Sequence, residues 1–416
     1  MKAGCRPTLL AAARPAFKLA ATLVVGLTCA LPATAAFPAG PTLDPEWHIP
    51  LAEADAGAQT APAAIRLAAA LEHYQSLANA GGWPLVPPDT RLQAGQRDPR
   101  VVELRERLRI SGDFAGLPGT ADAWYFDGGL RDALHGFQKR HGLPATGQVG
   151  AATVAALNVS AADRVAQLNA NLIRWTWLPR DFGSRYLWVN VAGGFLRLVD
   201  GGKAVLEMRV IAGHPDRPTP SFVDSITALV VNPPWNVPRT IAVEDLLPWQ
   251  QEDATFLARL GIRVFNSSGH EVDAARINWQ QLDPDHFPYR LRQDPGPVNS
   301  LGRIKFVMQN PWSIYLHDTP SRRLFDLNSR TLSSGCVRLE KPEELAHRLL
   351  AGAASGEIDP QIVPAGVSAD DVPVKTRIIP LPRAITVYVV YLTSWVTEQG
   401  VVNFRPDVYG RDAGLR

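Results

Sequence analysis

Residues 186–211 read YLWVNVAGGFLRLVDGGKAVLEMRVI, and this stretch decides the fold class of the second half of the chain. Alternate residues from Leu187 to Val191 are apolar, which is the two-residue period of a strand with one buried face. Gly193-Gly194 and Asp200-Gly201 each supply a hairpin turn between apolar runs. The stretch therefore predicts consecutive strands over residues 186–191, 195–199 and 205–211.

The chain beyond this stretch continues the strand pattern. Short apolar runs predict strands at 226–231, 305–308, 313–316 and 384–396, the last of which closes the same sheet. Pro342, followed by two acidic residues, begins a predicted helix over 342–350. A helical pattern over 244–260 interrupts the strands and predicts an inserted cap at about 240–292. We interpret residues 185–416 as one mostly-β domain with a helical cap.

The chain before residue 185 has a helical period instead. Helices are predicted over 64–80 and 161–178, and a bundle of three short helices lies within 97–158. The Ala- and Pro-rich residues 36–63 lack periodicity and favour a flexible arm. The predicted organisation is multidomain α+β: an arm (36–63), a scaffold segment (64–96), a three-helix module (97–158), a scaffold helix (159–184) and the mostly-β domain (185–416).

The first 35 residues have the three parts of an export signal. Met1 to Lys18 carries four basic and no acidic residues, an apolar run follows over 19–31, and Ala33-Thr34-Ala35 supplies small residues for a peptidase. We therefore expect residues 1–35 to be a cleaved signal peptide. The apolar run is short for a membrane-spanning helix, and an uncleaved inner-membrane anchor is the alternative.

Composition narrows the classes of function. The 416 residues are 46% hydrophobic, which is typical of a globular protein. Loss of the signal takes the formal net charge from +2 to −2, because four positive charges leave. A nearly neutral surface of mixed charge gives no electrostatic reason to expect a nucleic-acid partner.

The cysteines point to a nucleophile. Of Cys5, Cys29 and Cys336, the first two lie in the predicted signal, so the exported protein would carry one thiol. Structural cysteines in an oxidising compartment usually occur in pairs. His317 ends an apolar run nineteen positions before Cys336. We therefore expect Cys336 to be a nucleophile and His317 to accept and return its proton.

The residues around Cys336 suggest how a reacting carbonyl is held. Thiolate attack builds negative charge on the carbonyl oxygen, which backbone N–H groups stabilise. Gly335 has no side chain to block that approach, so we expect the N–H groups of Gly335 and Cys336 to be oxyanion donors, with Ser334 as a third candidate.

Arg338 lies two positions after Cys336 and would share its side of an extended strand. Its guanidinium can hold a substrate carboxylate through two hydrogen bonds, or form a structural salt bridge with Glu340 or Asp318. Neither Cys336 nor His317 has a second Cys or His at ligand spacing, so we expect no metal.

Several stretches together resemble one family. Residues 314–320 (IYLHDTP) and 333–339 (SSGCVRL) look like the catalytic signature of the L,D-transpeptidases, the YkuD fold family. Residues 232–238, 289–297 and 404–412 are similar to its large Gram-negative branch, and 97–158 resembles a peptidoglycan-binding module. The chain departs from many members in having Ser334 before the Gly-Cys pair, and its N-terminal scaffold is short for that branch.

The resemblance implies the chemistry of that family. Cys336 would attack the amide between the L-centre of meso-diaminopimelate and the terminal D-alanine of a tetrapeptide stem, releasing D-alanine. The side-chain amine of a second stem would resolve the thioester and give a 3→3 cross-link. Carbapenems would acylate Cys336, and no cofactor would be required. Tyr315 and Trp235 would line the substrate groove or lie in the core.

The resemblance also implies a location and partners. The location is the periplasm, the partners are peptidoglycan stem peptides, and other wall-synthesis enzymes are candidate partners. The oligomeric state is left open. Alternative functions are an L,D-carboxypeptidase with water as acceptor, a wall cysteine endopeptidase, and a non-catalytic peptidoglycan-binding protein that keeps the fold.

Overall fold

The computed structural model describes residues 62–116, 122–351 and 375–415. The predicted signal peptide, and the predicted arm up to residue 61, lie outside these ranges. Within them, no helix combines the length and the apolar character that crossing a membrane requires.

Five α-helices precede the first strand in the described part of the chain. They are α1 (Pro62–Asn79), α2 (Arg100–Ile110), α3 (Gly128–Arg140), α4 (Ala151–Leu157) and α5 (Ala161–Thr176). Asp127 Oδ1 accepts a hydrogen bond from the Leu130 N–H at 2.8 Å and caps α3, and Ser160 Oγ caps α5 in the same way. Gly142 then takes a φ of +68° after α3, a conformation that ends a helix. The predicted helices are confirmed.

Helices α2, α3 and α4 enclose an apolar core of their own. The buried members are Val86, Leu92, Val101, Leu104, Leu108, Phe126, Leu130, Leu134, Phe137, Val149, Val154 and Leu157. They include both helical faces that the sequence pattern predicts, one on α2 and one on α3.

Strands dominate the rest of the described chain. They are β1 (Arg185–Asn190), β2 (Phe195–Asp200), β3 (Lys203–Gly213), β4 (Phe222–Val231), β5 (Trp235–Asn236), β6 (Ile262–Phe265), β7 (Glu271–Val272), β8 (Arg290–Gln293), β9 (Ile304–Val307), β10 (Leu316–His317), β11 (Thr331–Ser333), β12 (Val337–Leu339), β13 (Arg377–Val390), β14 (Ser394–Val396) and β15 (Val402–Phe404). The chain is therefore multidomain α+β, as predicted.

Nine of these strands form one sheet in the order β11-β3-β12-β10-β9-β4-β13-β1-β2. Strand β2 also pairs with β3, so the pairings close on themselves. The long β3 makes this possible, because residues 203–209 pair with β2 and residues 210–211 pair with β12. Strand β10 consequently lies between β9 and β12, in the middle of the sheet.

The cap contains more strand than the sequence pattern predicts. The helix predicted over 244–260 is divided into a π-helical segment (Ile241–Leu246), α6 (Leu247–Glu252) and α7 (Phe256–Arg259). Asp253 breaks it, because its backbone is extended and its side chain accepts hydrogen bonds from Thr255. Strands β5, β8, β6 and β7 form a separate four-stranded sheet beside these helices.

Two strand predictions are wrong in extent. The predicted strand over 384–396 is two strands, because β14 leaves the main sheet to pair with β15. Between them, the Asn171 side chain replaces a strand partner by accepting the Thr393 N–H at 2.9 Å. The strand predicted over 313–316 is reduced to β10, since Ser313 has a φ of +54°. Helix α8 (Pro342–Leu350) agrees with its prediction.

The helical part meets the β domain at a seam formed by Tyr74, Asp113, Arg140, Val402 and Phe404. Arg140 contacts both carboxylate oxygens of Asp113, at 2.6 and 2.5 Å. Its third nitrogen reaches the Tyr74 hydroxyl at 3.4 Å and the Val402 carbonyl at 3.3 Å. The Tyr74 and Phe404 rings meet edge to face at 5.4 Å. Buried polar and aromatic contacts thus hold the three-helix module, α1 and the β14–β15 hairpin together.

Candidate active site

Cys336 lies in the tight loop between β11 and β12, and it is fully buried. Ser333 Oγ donates to the Cys336 carbonyl at 2.5 Å and spans the loop. Gly335 has a φ of +110°, a conformation that other residues adopt only with strain. The glycine before the thiol is therefore required by the backbone. The thiol itself faces the Ser313 carbonyl at 3.9 Å.

One of the predicted oxyanion donors already has a partner in this structure. The Gly335 N–H donates to Ser333 Oγ at 3.2 Å. Ser334 Oγ accepts from Arg217 Nη1 at 2.8 Å, and Arg217 also pairs with Asp245 at the start of the cap. Their role with a reacting carbonyl stays a prediction. The arginine connects the cap to the loop that carries Cys336.

His317 is fully buried at the end of β10. Its Nδ1 lies 2.5 Å from the Asp318 backbone carbonyl. A carbonyl can only accept, so Nδ1 carries the proton and Nε2 has an open lone pair. Nε2 has no hydrogen-bond partner among the described residues. The Leu301 backbone also interacts with the ring and favours its charged form, so the structure presents a neutral imidazole whose Nε2 makes no hydrogen bond of ordinary geometry to the described residues.

Burial and charge keep His317 neutral. Burial is the main cause that lowers its pKa to about 3, and the positive charges of Arg338 and Lys305 act in the same direction. The hydrogen bond to the Asp318 carbonyl opposes them in part. Because the pKa lies far below 7, the imidazole is unprotonated at neutral pH, and in this unliganded site it is a weak base.

Arg338 is paired across the sheet with His317. The two residues are direct neighbours in the parallel β10–β12 ladder. Arg338 lies two positions after Cys336, which immediately precedes β12. Arg338 is 1% exposed, and its Nε and Nη2 have no hydrogen-bond partner among the described residues. Burial lowers its pKa to about 10, while Cys336 opposes that shift. A buried cation with two unengaged N–H groups thus lies beside the thiol and the imidazole.

The salt bridges proposed for Arg338 from the sequence are not formed. Glu340 pairs with Arg209 at 2.5 Å, and Asp318 pairs with Arg322 at 2.6 Å. Both acids therefore hold other arginines.

Lys305 and Tyr315 complete the surroundings of the pair. Lys305 faces His317 from the other side, in the antiparallel β9–β10 ladder. Its Nζ lies 3.6 Å from the centre of the Tyr315 ring, a cation–π contact. The Tyr315 carbonyl accepts the Val337 N–H at 3.0 Å, next to Cys336.

The sequence matches two family profiles. The YkuD profile, described as the L,D-transpeptidase catalytic domain, covers residues 184–368, and "Putative peptidoglycan binding domain" covers 97–157. Residues 184–368 belong to the YkuD family of L,D-transpeptidase catalytic domains. The multidomain order, with the peptidoglycan-binding profile ahead of the mostly-β domain, agrees with the prediction.

Individual proteins agree with this assignment. "Putative L,D-transpeptidase" of Haemophilus influenzae (strain ATCC 51907 / DSM 11121 / KW20 / Rd) is 39% identical over 226 residues, which are 54% of this chain and 44% of that protein. The match thus spans less than half the length of that relative.

Two solved L,D-transpeptidases are similar at 13% identity. The C442S mutant from Enterococcus faecium has a TM-score of 0.23, with 50% of each chain covered. L,D-transpeptidase 3 from Mycobacterium tuberculosis, in complex with a faropenem-derived adduct, has a TM-score of 0.25, with 50% of this chain and 60% of that chain covered. The family assignment therefore rests on the sequence matches.

Within this L,D-transpeptidase domain, Trp235 lies apart from the other residues that the sequence predicts at the active site. It lies in β5 of the cap sheet, opposite Gln293, and it is 3% exposed. Its indole Nε1 has no hydrogen-bond partner among the described residues. The structure brings together Tyr315, His317, Ser334, Gly335, Cys336 and Arg338, and it places Trp235 in a different sheet.

Asp318 is a positioning residue that sequence reasoning considered only as a partner for Arg338. Its carboxylate accepts the backbone N–H groups of Arg303, at 2.7 Å, and of Thr319, at 2.6 Å. A Cβ at Gly302 would lie 2.3 Å from Asp318 Oδ2, so only glycine leaves room for this carboxylate. Asp318 thereby holds the carbonyl that orients His317. Its place directly after His317 was the only signal in the sequence.

Among the residues that the structure describes, no group of three or more His, Cys, Asp and Glu side chains could hold a metal ion.

Proposed function

We propose that this chain is a peptidoglycan L,D-transpeptidase that forms 3→3 cross-links through a thioester at Cys336. One observation carries the proposal: His317, with Nδ1 bonded to a carbonyl and Nε2 unengaged, is the strand neighbour of Arg338, two residues from Cys336. A base and a buried cation on adjacent strands, with a nucleophile in the loop that precedes one of them, are the groups that acyl transfer from a stem peptide needs.

The first half of the proposed reaction acylates the thiol. His317 Nε2 accepts the Cys336 proton, and the thiolate attacks the amide carbonyl between diaminopimelate and the terminal D-alanine. The carbon–sulfur bond forms, the carbon–nitrogen bond breaks, and the leaving amine takes the proton from His317. The products are a thioester on Cys336 and D-alanine.

The second half returns the enzyme to its starting state. The side-chain amine of diaminopimelate on another stem attacks the thioester and loses a proton to His317. The new amide forms, the carbon–sulfur bond breaks, and the sulfur regains the proton. Water in place of the amine would give L,D-carboxypeptidase activity.

Arg338 is proposed to hold a carboxylate of the donor stem. Its buried position carries a desolvation cost that an anionic ligand would offset, and its two unengaged N–H groups suit a carboxylate. Backbone N–H groups at Gly335 and Cys336 are proposed to stabilise the oxyanion once the loop opens toward a substrate. Tyr315 is proposed to line the same site.

The proposal extends to location and inhibition. Residues 1–35 have the pattern of an export signal, which together with the wall substrate supports the periplasm as the site of action. Carbapenems are proposed to acylate Cys336, because they present an electrophilic carbonyl to the same thiol.

The test is mass spectrometry on the purified protein mixed with disaccharide-tetrapeptides, beside Cys336→Ala. Cross-linked dimers with released alanine, absent in the variant, are expected. Tripeptide without dimer would assign carboxypeptidase activity instead. Cleavage inside the stem would assign a wall endopeptidase. Intact substrate together with an unacylated Cys336 after carbapenem treatment would leave the non-catalytic binding protein.

A further inference from the structure

A groove with aromatic walls lies on the outer face of the main sheet. We call it the aromatic groove. It is bounded by β1 and β2, by the first turn of α1, by the segment after α5 and by the β14–β15 hairpin. Its lining includes Arg66, Trp175, Trp188, Phe195, Arg197, Trp395 and Glu398.

The groove is separate from the candidate active site. Trp188 in β1 faces the groove, whereas its neighbours Leu187 and Val189 face the other way into the core that contains Cys336. The groove encloses about 770 Å³, including the part open to solvent. The groove and the candidate active site therefore lie on opposite faces of the sheet.

The two walls of the groove are aromatic pairs. Trp175 and Trp188 are stacked at 5.5 Å with 18° between their planes. Phe195 and Trp395 lie 5.4 Å apart at 60°. All four side chains are only partly buried. Arg197 lies over the Phe195 ring at 4.7 Å and Arg405 over the Trp395 ring at 4.8 Å, so a ligand can reach only the ring surface that these guanidinium groups leave uncovered.

Polar side chains supply the directional contacts. Arg66 and Arg197 line the groove from α1 and β2, and Glu398 lines it from the tip of the β14–β15 hairpin. Arg66 Nε is buried and has no hydrogen-bond partner among the described residues. Flat aromatic walls with a few donors and acceptors of both charge signs match a sugar, whose rings have an apolar C–H face and a polar edge. They match a purely apolar or a strongly anionic ligand less well.

We propose that the aromatic groove binds the glycan strand of peptidoglycan, a polymer of β-linked N-acetylhexosamines. This inference rests on the proposed function, because that function supplies a substrate whose stem peptides are attached to such a strand. The sugar rings stack against Trp395 and the neighbouring rings, and their acetamide and hydroxyl groups bond to Arg66 and Glu398. The glycan is then held on one face of the domain while its stem reaches Cys336.

The test is calorimetric titration of the full chain, carrying Cys336→Ala, with a tetramer of N-acetylglucosamine. Trp395→Ala is expected to weaken binding about tenfold or more, as loss of one stacking ring does. Arg66→Gln, which leaves the walls intact, is expected to weaken it about three- to tenfold. The matched control is Trp124→Ala, a tryptophan that is 53% exposed on the three-helix module.

The outcomes separate the possible sites. Loss of binding in both groove variants, with Trp124→Ala unchanged, supports the proposal. No binding by the parent chain, or loss only in Trp124→Ala, overturns it. Circular dichroism melting of each variant shows whether it is still folded. If one groove variant is unfolded, the binding measured for the other groove variant tests the proposal.

A second readout distinguishes failure of this inference from failure of the proposed function. Chains with intact Cys336 are compared on a free tetrapeptide and on the same peptide attached to its disaccharide. Trp395→Ala is expected to keep the activity on the free tetrapeptide and to lose the advantage of the disaccharide. If the parent chain acts equally on both substrates, the groove proposal fails while the transpeptidase proposal stands. If the parent chain acts on neither substrate but binds the tetramer, the transpeptidase proposal fails while the groove proposal stands.

Discussion

Two buried arginines of this protein have opposite surroundings. At the seam, Arg140 has the Asp113 carboxylate, the Tyr74 hydroxyl and the Val402 carbonyl as partners. At the candidate active site, Arg338 is more deeply buried, and two of its nitrogens have no hydrogen-bond partner among the described residues. Both are cations removed from water, but only one is compensated by the fold itself.

The difference separates structure from function. A buried charge without a partner is costly, and such costs concentrate where a ligand or a reaction will use the group. At the seam the pairing is complete, so its arginine holds domains together. At the candidate active site, the described residues supply no anionic partner for Arg338, as expected of a group that binds a substrate carboxylate. The predictions below compare changes at the two regions, beginning with the largest effect.

Removal of the proposed nucleophile should abolish the proposed reaction. Cys336→Ala deletes the sulfur that is proposed to form the thioester, so neither D-alanine nor cross-linked product is expected. The loss of one buried sulfur atom should change the free energy of unfolding by only about 1 kcal/mol. Product analysis and urea denaturation measure the two effects. If the free energy of unfolding of Cys336→Ala falls by several kcal/mol, Cys336 is needed for the fold as well as for the reaction, and the proposed distinction between the two regions fails.

Replacing the base should slow acylation without preventing it. His317→Gln removes proton transfer, which contributes about 10²- to 10⁴-fold in rate. Stopped-flow measurement of carbapenem acylation at Cys336 reports that step alone. His135→Gln, which alters a histidine on α3 of the three-helix module, is the matched control and should react at the parent rate. Equal rates for the parent and His317→Gln would remove His317 from the mechanism.

Breaking the seam should cost stability rather than chemistry. Asp113→Ala leaves the Arg140 guanidinium buried without its carboxylate, a change worth about 3–5 kcal/mol. Arg338→Met removes a cation that already lacks a carboxylate partner, so it should be neutral or stabilising. Urea titration of both variants gives the comparison. If Arg338→Met destabilises the protein as much as Asp113→Ala, the contrast between the two regions is false.

Stability should also depend on pH through His317. Its pKa is about 3 in the folded protein and near 6.5 when exposed, so between these values only the unfolded chain binds the proton. The free energy of unfolding therefore falls as pH decreases from about 6.5 toward 3. His317→Gln should show a shallower fall over that window than the parent. Identical slopes would mean that His317 is not held neutral by burial.

The smallest expected effect is a shift in a pH profile. Arg338→Gln removes the larger of the two charges that depress the His317 pKa, so the acid limb of Cys336 alkylation should move to higher pH. An uncharged alkylating reagent avoids the proposed carboxylate contact. Lys305→Gln, the weaker neighbour, should move the limb less. A shift of the acid limb to lower pH in either variant would contradict the conclusion that Arg338 and Lys305 lower the His317 pKa.

Local patterns were sufficient for most elements. The two-residue period over 186–211 predicted three strands, because alternation places one face in a core. The helix predicted over 244–260 was interrupted where a side chain competed with backbone carbonyls for an N–H donor: Asp253 accepts the hydrogen bond from the Thr255 N–H. The divided strand near residue 393 had no local signal, since its cause is an asparagine 222 positions earlier.

The sequence by itself determined the family resemblance and predicted the nucleophile and its histidine, because these depend on residue type and spacing along the chain. Tertiary structure alone decided which atoms are engaged. Only the parallel pairing of β10 with β12 makes His317 and Arg338 neighbours, and only the bonds of Asp318 show which imidazole nitrogen is open. The aromatic groove, too, is assembled from three stretches, residues 63–66, 175–204 and 392–398, that are distant in sequence. Hydrogen bonding and burial depend on contacts across the fold, and no local pattern encodes them.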